Sequence, residues 1–203
     1  MKTIIYTQRV DIIESYGERR DCADQRIPDF IYACGYLPVP IPNNNAIIQE
    51  FLKKINPFGI ILVGGNSLVK YGGNAPERDI TDDTLLSYAV KHKIPLYGFC
   101  RGMQSILNYF GSTLENVKGH VAVRHEISGI EENSEVNSYH SQGCLSLNCS
   151  SLEVVMRSED GVIEKVKHKE LPIIGTMWHP ERENPFRERD IAMMKGLFDD
   201  ADN

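Results

Sequence analysis

No run of apolar residues in this chain of 203 approaches the roughly 20 that a bilayer-spanning helix needs. The N-terminal "MKTIIYTQRVD" is also too short in its apolar part for a signal-peptide core, so a cytoplasmic protein without a membrane partner is expected. A basic excess is missing: 22 Lys and Arg against 28 Asp and Glu give a net charge of -6, which argues against nucleic acid or an anionic surface as the main partner. No CxxC pair suggests a zinc site. The five cysteines (Cys22, Cys34, Cys100, Cys144 and Cys149) are odd in number and scattered, which suits reduced thiols and leaves them available for chemistry. Internal repeats, charge blocks and low-complexity linkers are lacking too, so residues 1–203 are expected to form a single domain.

What is present is alternation. "KTIIYTQ" reads as a first strand, "DQRIPDFIYACG" as a helix ended by Gly35, and "YLPVPIP" as an extended segment whose prolines suit a sheet edge. "NNNAIIQEFLKKIN" has helical spacing, and "FGIILVGG" is the continuous apolar run of a strand buried on both faces. A third helix is expected over Asp82 to His92, a strand at "KIPLYGF", and a helix at "RGMQSILNYFG". From Ser112 to Lys169 the stretches "HVAVRHEIS", "LEVVMRS" and "GVIEKVKH" suggest antiparallel strands, before "LPIIGTMWHP" returns as a buried strand and "RDIAMMKGLFDD" as a closing helix. The expected fold is α/β: three layers, with a mixed, mostly parallel sheet covered by helices on both faces.

Ligands of such sheets sit beyond the carboxyl ends of the strands. Three short motifs fall there: Gly64-Gly65-Asn66, the stretch "YGFCRGMQ" around Cys100, and His179-Pro180-Glu181. A cysteine between two glycines at a strand-to-helix turn reads as a nucleophile elbow, and the positive end of the following helix favours a thiolate there. His179 is then the candidate base and Glu181 its orienter, two residues apart on an extended segment with Pro180 stiffening the spacer. The glycine pair and the Arg101 N–H offer main-chain donors to a tetrahedral oxyanion. Taken singly, each motif has a bland reading as a turn, a buried thiol or a packed histidine; their meeting at the strand ends of one sheet favours catalysis.

These residues resemble the class I glutamine amidotransferase-like domains with a Cys-His-Glu triad: "YGFCRGMQ" is similar to the nucleophile motif, "LVGGN" to the oxyanion loop and "MWHPE" to the His and Glu motif. The resemblance covers nearly the whole chain and is nearest to the γ-glutamyl hydrolase branch, with "PERDITDDTLLSYAVKHKIPLYGFCRGMQ", "EVNSYHSQG" and "GHVAVRHEI" as markers. It implies a flavodoxin-like three-layer fold, Cys100 as nucleophile, His179 as base and then acid, Glu181 as orienter, and Gly65 and Arg101 as the oxyanion hole. It further implies that Gln104 and the segment Asn137, Ser138, Tyr139 and His140 hold the α-amino and α-carboxylate groups of a γ-glutamyl moiety. No cofactor is needed for this chemistry.

The stretch "RVDIIESYGERRDCADQR" reads as a charged loop after the first strand. Its Arg9, Arg19 and Arg20, with Lys70 and Arg78, are candidates to bind an anionic leaving group through forked hydrogen bonds, against a plain reading as a solvated face paired with Glu14, Glu18 and Asp21. The resemblance extends to capsule-pathway γ-glutamyl hydrolases, for which the expected substrate is a γ-glutamyl amide with a nucleotide leaving group, L-glutamyl-CDP-amidate. A glutaminase subunit delivering ammonia to a separate synthetase is the alternative, and a non-catalytic α/β binding module the third. His120 and His125 lack carboxylate and thiol partners at ligand spacing, so structural or surface roles, and no metal, are expected. Oligomeric state is not legible in the sequence.

Overall fold

The computed structural model of the protein describes residues 1–199. The chain begins with strand β1 (Thr3–Tyr6), strands β2 (Arg9–Ile13) and β3 (Glu18–Cys22), helix α1 (Arg26–Ala33) and strand β4 (Leu37–Pro40). Helix α2 (Ile48–Ile55), β5 (Gly59–Leu62), α3 (Pro76–His92), β6 (Leu96–Phe99) and α4 (Arg101–Tyr109) continue the alternation. There follow β7 (Glu115–Asn116), β8 (Val121–Gly129), β9 (Ser134–Tyr139), β10 (Gln142–Gly143), β11 (Leu152–Ser158), β12 (Ile163–His168), β13 (Ile173–Thr176) and helix α5 (Glu188–Asp199). The closing helix was expected to reach Asp200, which lies outside the described residues. Among those residues no helix is long and apolar enough to cross a membrane.

Nine strands form one mixed sheet in the order β4-β1-β5-β6-β13-β12-β11-β8-β9. Its larger block, β4 to β13, is parallel. The rest is antiparallel. The proline-bearing β4 sits on the edge, where its missing N–H donors cost nothing. Alternate side chains of the central strands feed two cores. Ile5, Ile60, Leu62 and Leu96 pack on one face with Leu52 of α2, Leu85 and Leu86 of α3, and Ile106 and Leu107 of α4. Ile4, Ile61, Val63 and Tyr97 pack on the other with Phe30 and Ile31 of α1 and Met194 and Phe198 of α5. Burial on both faces explains why these strands read as unbroken apolar runs.

Two local expectations are corrected. Helix α3 begins at Pro76, not Asp82: Pro76 opens the helix and Glu77 and Asp79 occupy its first turn, where acidic side chains meet the positive end of the dipole. The charged segment after β1 is not a loop but an antiparallel hairpin, with Arg9 opposite Cys22 and Ile13 opposite Glu18.

Candidate active site

Strand β6 is flanked by β5 and β13, and Gly98 lies opposite both Leu62 and Gly175. The chain leaves this central strand through Cys100 at φ 51° and ψ -111°, a region that L-residues seldom occupy, and enters α4 at once. The turn is held by the Cys100 N–H donating to the Thr176 carbonyl at 2.8 Å. The flanking glycines have a steric reason: a β-carbon on Gly102 would stand 1.9 Å from the Leu62 carbonyl oxygen, and one on Gly98 would meet the main chain of Gly102. Only glycine lets α4 press so closely on the sheet.

Beyond β13, His179 is extended and the chain then turns through a 3-10 helix, Pro180–Arg182. Glu181 therefore stands on a turn rather than on the expected extended segment. The turn still returns its carboxylate to the imidazole, with His179 Nδ1 and Glu181 Oε1 2.7 Å apart. Both residues are buried. Burial alone would pull the imidazolium down, but the negative charges of Cys100 and Glu181 outweigh it and push His179 up to about 10. The imidazole ring meets Phe99 and Tyr139 edge-on at centroid distances of 5.6 Å, which restricts its rotation. Its Nε2 is buried, on the side of the ring away from Glu181. Cys100 and His179 line one cleft with Gly65, Gln104, Tyr139, His140 and Arg182.

The third strand end is braced from beneath. Arg78, fully buried on α3, donates to the carbonyls of Val63 at 2.5 Å, Gly64 at 3.0 Å and Gly65 at 2.5 Å. With its carbonyls held by Arg78, and with Gly65 at φ +87°, the loop is fixed beside Cys100. Burial, reinforced by the nearby Arg101 guanidinium, lowers the Arg78 pKa, yet at about 9 it remains a cation at neutral pH. Arg78 thus has no free face for an outside anion, contrary to the expectation from sequence. The Arg101 side chain points away from the cleft and pairs with Asp82 and Asp79 of α3. What Arg101 presents at the start of α4 is its main chain.

The chain matches the peptidase C26 family over residues 5–181. It belongs to that family. A γ-glutamyl-CDP-amidate hydrolase of Campylobacter jejuni is 33% identical over 95% of this chain and 95% of its own. A γ-glutamyl-γ-aminobutyrate hydrolase of Escherichia coli O157:H7 is 27% identical over 90% of this chain and 86% of its own. Among solved structures, a putative GMP synthase protein from Thermoplasma acidophilum superposes with a TM-score of 0.73 over 100% of this chain and 95% of that one, at 20% identity. A glutamine amidotransferase from Thermotoga maritima superposes with a TM-score of 0.66 over 99% of this chain and 85% of that one, at 14% identity. These likenesses confirm the class I glutamine amidotransferase-like fold.

As a peptidase C26 member the chain was expected to use Gln104 and residues 137–140 on its substrate, and the structure divides that set. Gln104 and Tyr139 line the cleft, with Gln104 Nε2 donating to the Gln142 carbonyl at 3.0 Å. Asn137 does not line it: its amide donates to the His179 carbonyl at 2.8 Å and accepts from the His179 N–H at 2.9 Å, which clamps the histidine's main chain. Ser138 is wholly buried and donates to the His120 carbonyl. His140 touches the cleft, but its Nε2 faces Glu164, 3.5 Å away. Glu164 is also the carboxylate that spacing did not reveal beside His120 and His125: β12 brings it to all three histidines.

The arginines divide too. Arg9 lines a second cleft with Cys22, Gly64, Gly65 and Arg182, and makes an exposed pair with Asp11 at 3.1 Å. Arg19 is tied to Glu77 and the Asn74 carbonyl, and Arg20 to Glu18 and the Tyr16 hydroxyl, so neither faces the site. Lys70 bonds Asn108. Arg182, stacked over the Tyr139 ring at 4.2 Å, was missed, although it directly follows the His-Pro-Glu motif.

Proposed function

We propose that the protein is a cysteine-dependent γ-glutamyl hydrolase that cleaves a γ-glutamyl amide to release L-glutamate. Membership in peptidase C26 supports a hydrolase, and two relatives named for γ-glutamyl substrates support the γ-glutamyl half. The observation that carries the mechanism is Cys100, held at a left-handed turn in one cleft with the His179–Glu181 pair.

The steps follow from that geometry. The Cys100 thiolate attacks the γ-carbonyl, and the oxyanion is taken by the main-chain N–H groups of Gly65 and Arg101. His179, held protonated by the charges facing it, gives its proton to the departing nitrogen, leaving a γ-glutamyl thioester on Cys100. Water then gives its proton to His179 and attacks the thioester, so glutamate leaves and the thiolate–imidazolium pair is restored. Glu181 orients the ring through Nδ1, and Asn137 fixes the main chain that carries it.

For the leaving group we favour a nucleotide diphosphate joined through its amidate nitrogen, as in L-glutamyl-CDP-amidate, which would place the reaction in capsule phosphoramidate synthesis. The overall likeness to the Campylobacter enzyme supports this, and so do the two arginines beside the Gly64-Gly65 loop, Arg9 and Arg182. The test is glutamate release by the purified chain offered glutamine, γ-glutamyl-γ-aminobutyrate and L-glutamyl-CDP-amidate at equal concentration. The nucleotide amidate is expected to turn over fastest, and Cys100→Ala to abolish release from all three. Activity confined to glutamine would favour a glutaminase that serves a separate synthetase instead.

A further inference from the structure

We propose that His120, His125, His140 and Glu164 form a binding site for one zinc ion, distinct from the Cys100–His179 pair and adjoining their cleft through His140. Three segments supply the ligands: His120 just before β8 and His125 within it, His140 just after β9, and Glu164 on β12. Four potential ligand atoms lie within 4.8 Å of one another. His120 Nδ1, His140 Nε2 and His125 Nε2 stand 3.4, 3.5 and 3.7 Å from Glu164 Oε1. Nitrogens about 2.0–2.1 Å from a tetrahedral zinc stand about 3.3–3.4 Å from a neighbouring ligand atom, close to that spacing.

Nothing else among the described residues satisfies these atoms. All three inward nitrogens and both carboxylate oxygens of Glu164 are buried without a hydrogen-bond partner, and Glu164 is wholly inaccessible. A buried carboxylate is costly unless it is closely paired or bound to a metal, and the three imidazoles stand off from Glu164 at 3.4–3.7 Å. A simple ion pair would close to about 2.7–2.9 Å, which none of these contacts does.

The outer nitrogens point the same way. His120 Nε2 lies 2.9 Å from Asp160 Oδ2, His140 Nδ1 lies 3.2 Å from the Gln142 carbonyl, and His125 Nδ1 lies 3.3 Å from the Glu126 carbonyl. An imidazole whose N–H is engaged by an outer oxygen presents its other nitrogen as a lone pair, the arrangement that orients metal-bound histidines. Three such lone pairs facing a carboxylate require a cation between them. The rival cation is a proton: Glu164, against burial and with help from Asp160, pushes His120 up to about 9. A surface cleft lined by His120, His125 and Asp160 gives a metal ion a path from solvent.

Four protein ligands leave no open position, so the zinc is structural. It would tie β12 to the chain just past β9, whose Tyr139, His140 and Gln142 line the Cys100 cleft.

The test is metal content and Zn²⁺ titration of the chelator-stripped full chain against a chromophoric competitor, with melting followed in parallel. Wild type and Cys100→Ser are expected to take up one equivalent and to melt at higher temperature with Zn²⁺. His125→Ala should lose that uptake, and Asp160→Asn, altered at a half-exposed position, should weaken it by about 10–100-fold. No stoichiometric uptake by wild type would overturn the proposal in favour of a proton on His120. So would an equivalent that survives His125→Ala and disappears in Cys100→Ser, which would place the metal on the catalytic thiol.

Discussion

Cys100 was legible as a candidate because glycines mark where a helix must touch a strand, whereas Glu181 meets His179 through a 3-10 turn and not along the extended spacer that was expected. The Asn137 clamp was not, since its partner is a main-chain group brought across from β13. The same pair makes a prediction at this scale. The negative charge of Glu181 is one of the causes that raise His179, so Glu181→Gln removes it and the imidazolium pKa falls. The alkaline limb of the kcat/KM profile should therefore move to lower pH in Glu181→Gln, and a pH series on both proteins checks it. Arg9 makes a second. Replacing it by alanine should raise KM for L-glutamyl-CDP-amidate by about tenfold, the order of one charge-assisted hydrogen bond, and leave KM for γ-glutamyl-γ-aminobutyrate unchanged.

Helix α3 shows where element-level reading runs out. Its later turns bury Leu85, Leu86 and Ala89 at helical spacing and were read correctly, whereas its first turns bury Arg78, Thr81 and Asp82. A polar buried face leaves no apolar period to detect, so the start was placed six residues late. The hairpin β2–β3 was missed for the opposite reason: only Val10 is buried along either strand, so no alternation marks it. The first turns of α3 carry the element's function. Arg78→Met would leave the carbonyls of Val63, Gly64 and Gly65 without their donor, costing about 1–3 kcal/mol and loosening the loop beside Cys100. Urea unfolding should show that loss, and steady-state kinetics should show kcat falling more than KM rises.

Across the whole molecule, the central strands of the parallel block were plain in sequence because β5 and β6 are buried on both faces, and the antiparallel extension because short β-prone stretches such as "LEVVMRS" and "GVIEKVKH" follow one another. The histidine and glutamate cluster was not, since β12 brings Glu164 to His120, His125 and His140 from far along the chain. We propose that the nine-stranded sheet, continuous from β4 to β9, unfolds as one unit. Trp178, the single tryptophan, follows β13, where the parallel block meets the antiparallel extension, and is buried. Its fluorescence and the far-UV circular dichroism should therefore lose native signal at the same denaturant concentration. Two separated transitions would mean that the halves of the sheet unfold as independent units.

The central claim, covalent catalysis by Cys100, is tested most directly by acid-quenching the enzyme during turnover of a γ-glutamyl amide labelled in its glutamyl group and mapping the label by peptide mass spectrometry. The account predicts one glutamyl group, on the peptide that carries Cys100, and neither label nor turnover in Cys100→Ser. Label on another residue, or a Cys100→Ser variant that turns over at the wild-type rate, would contradict it.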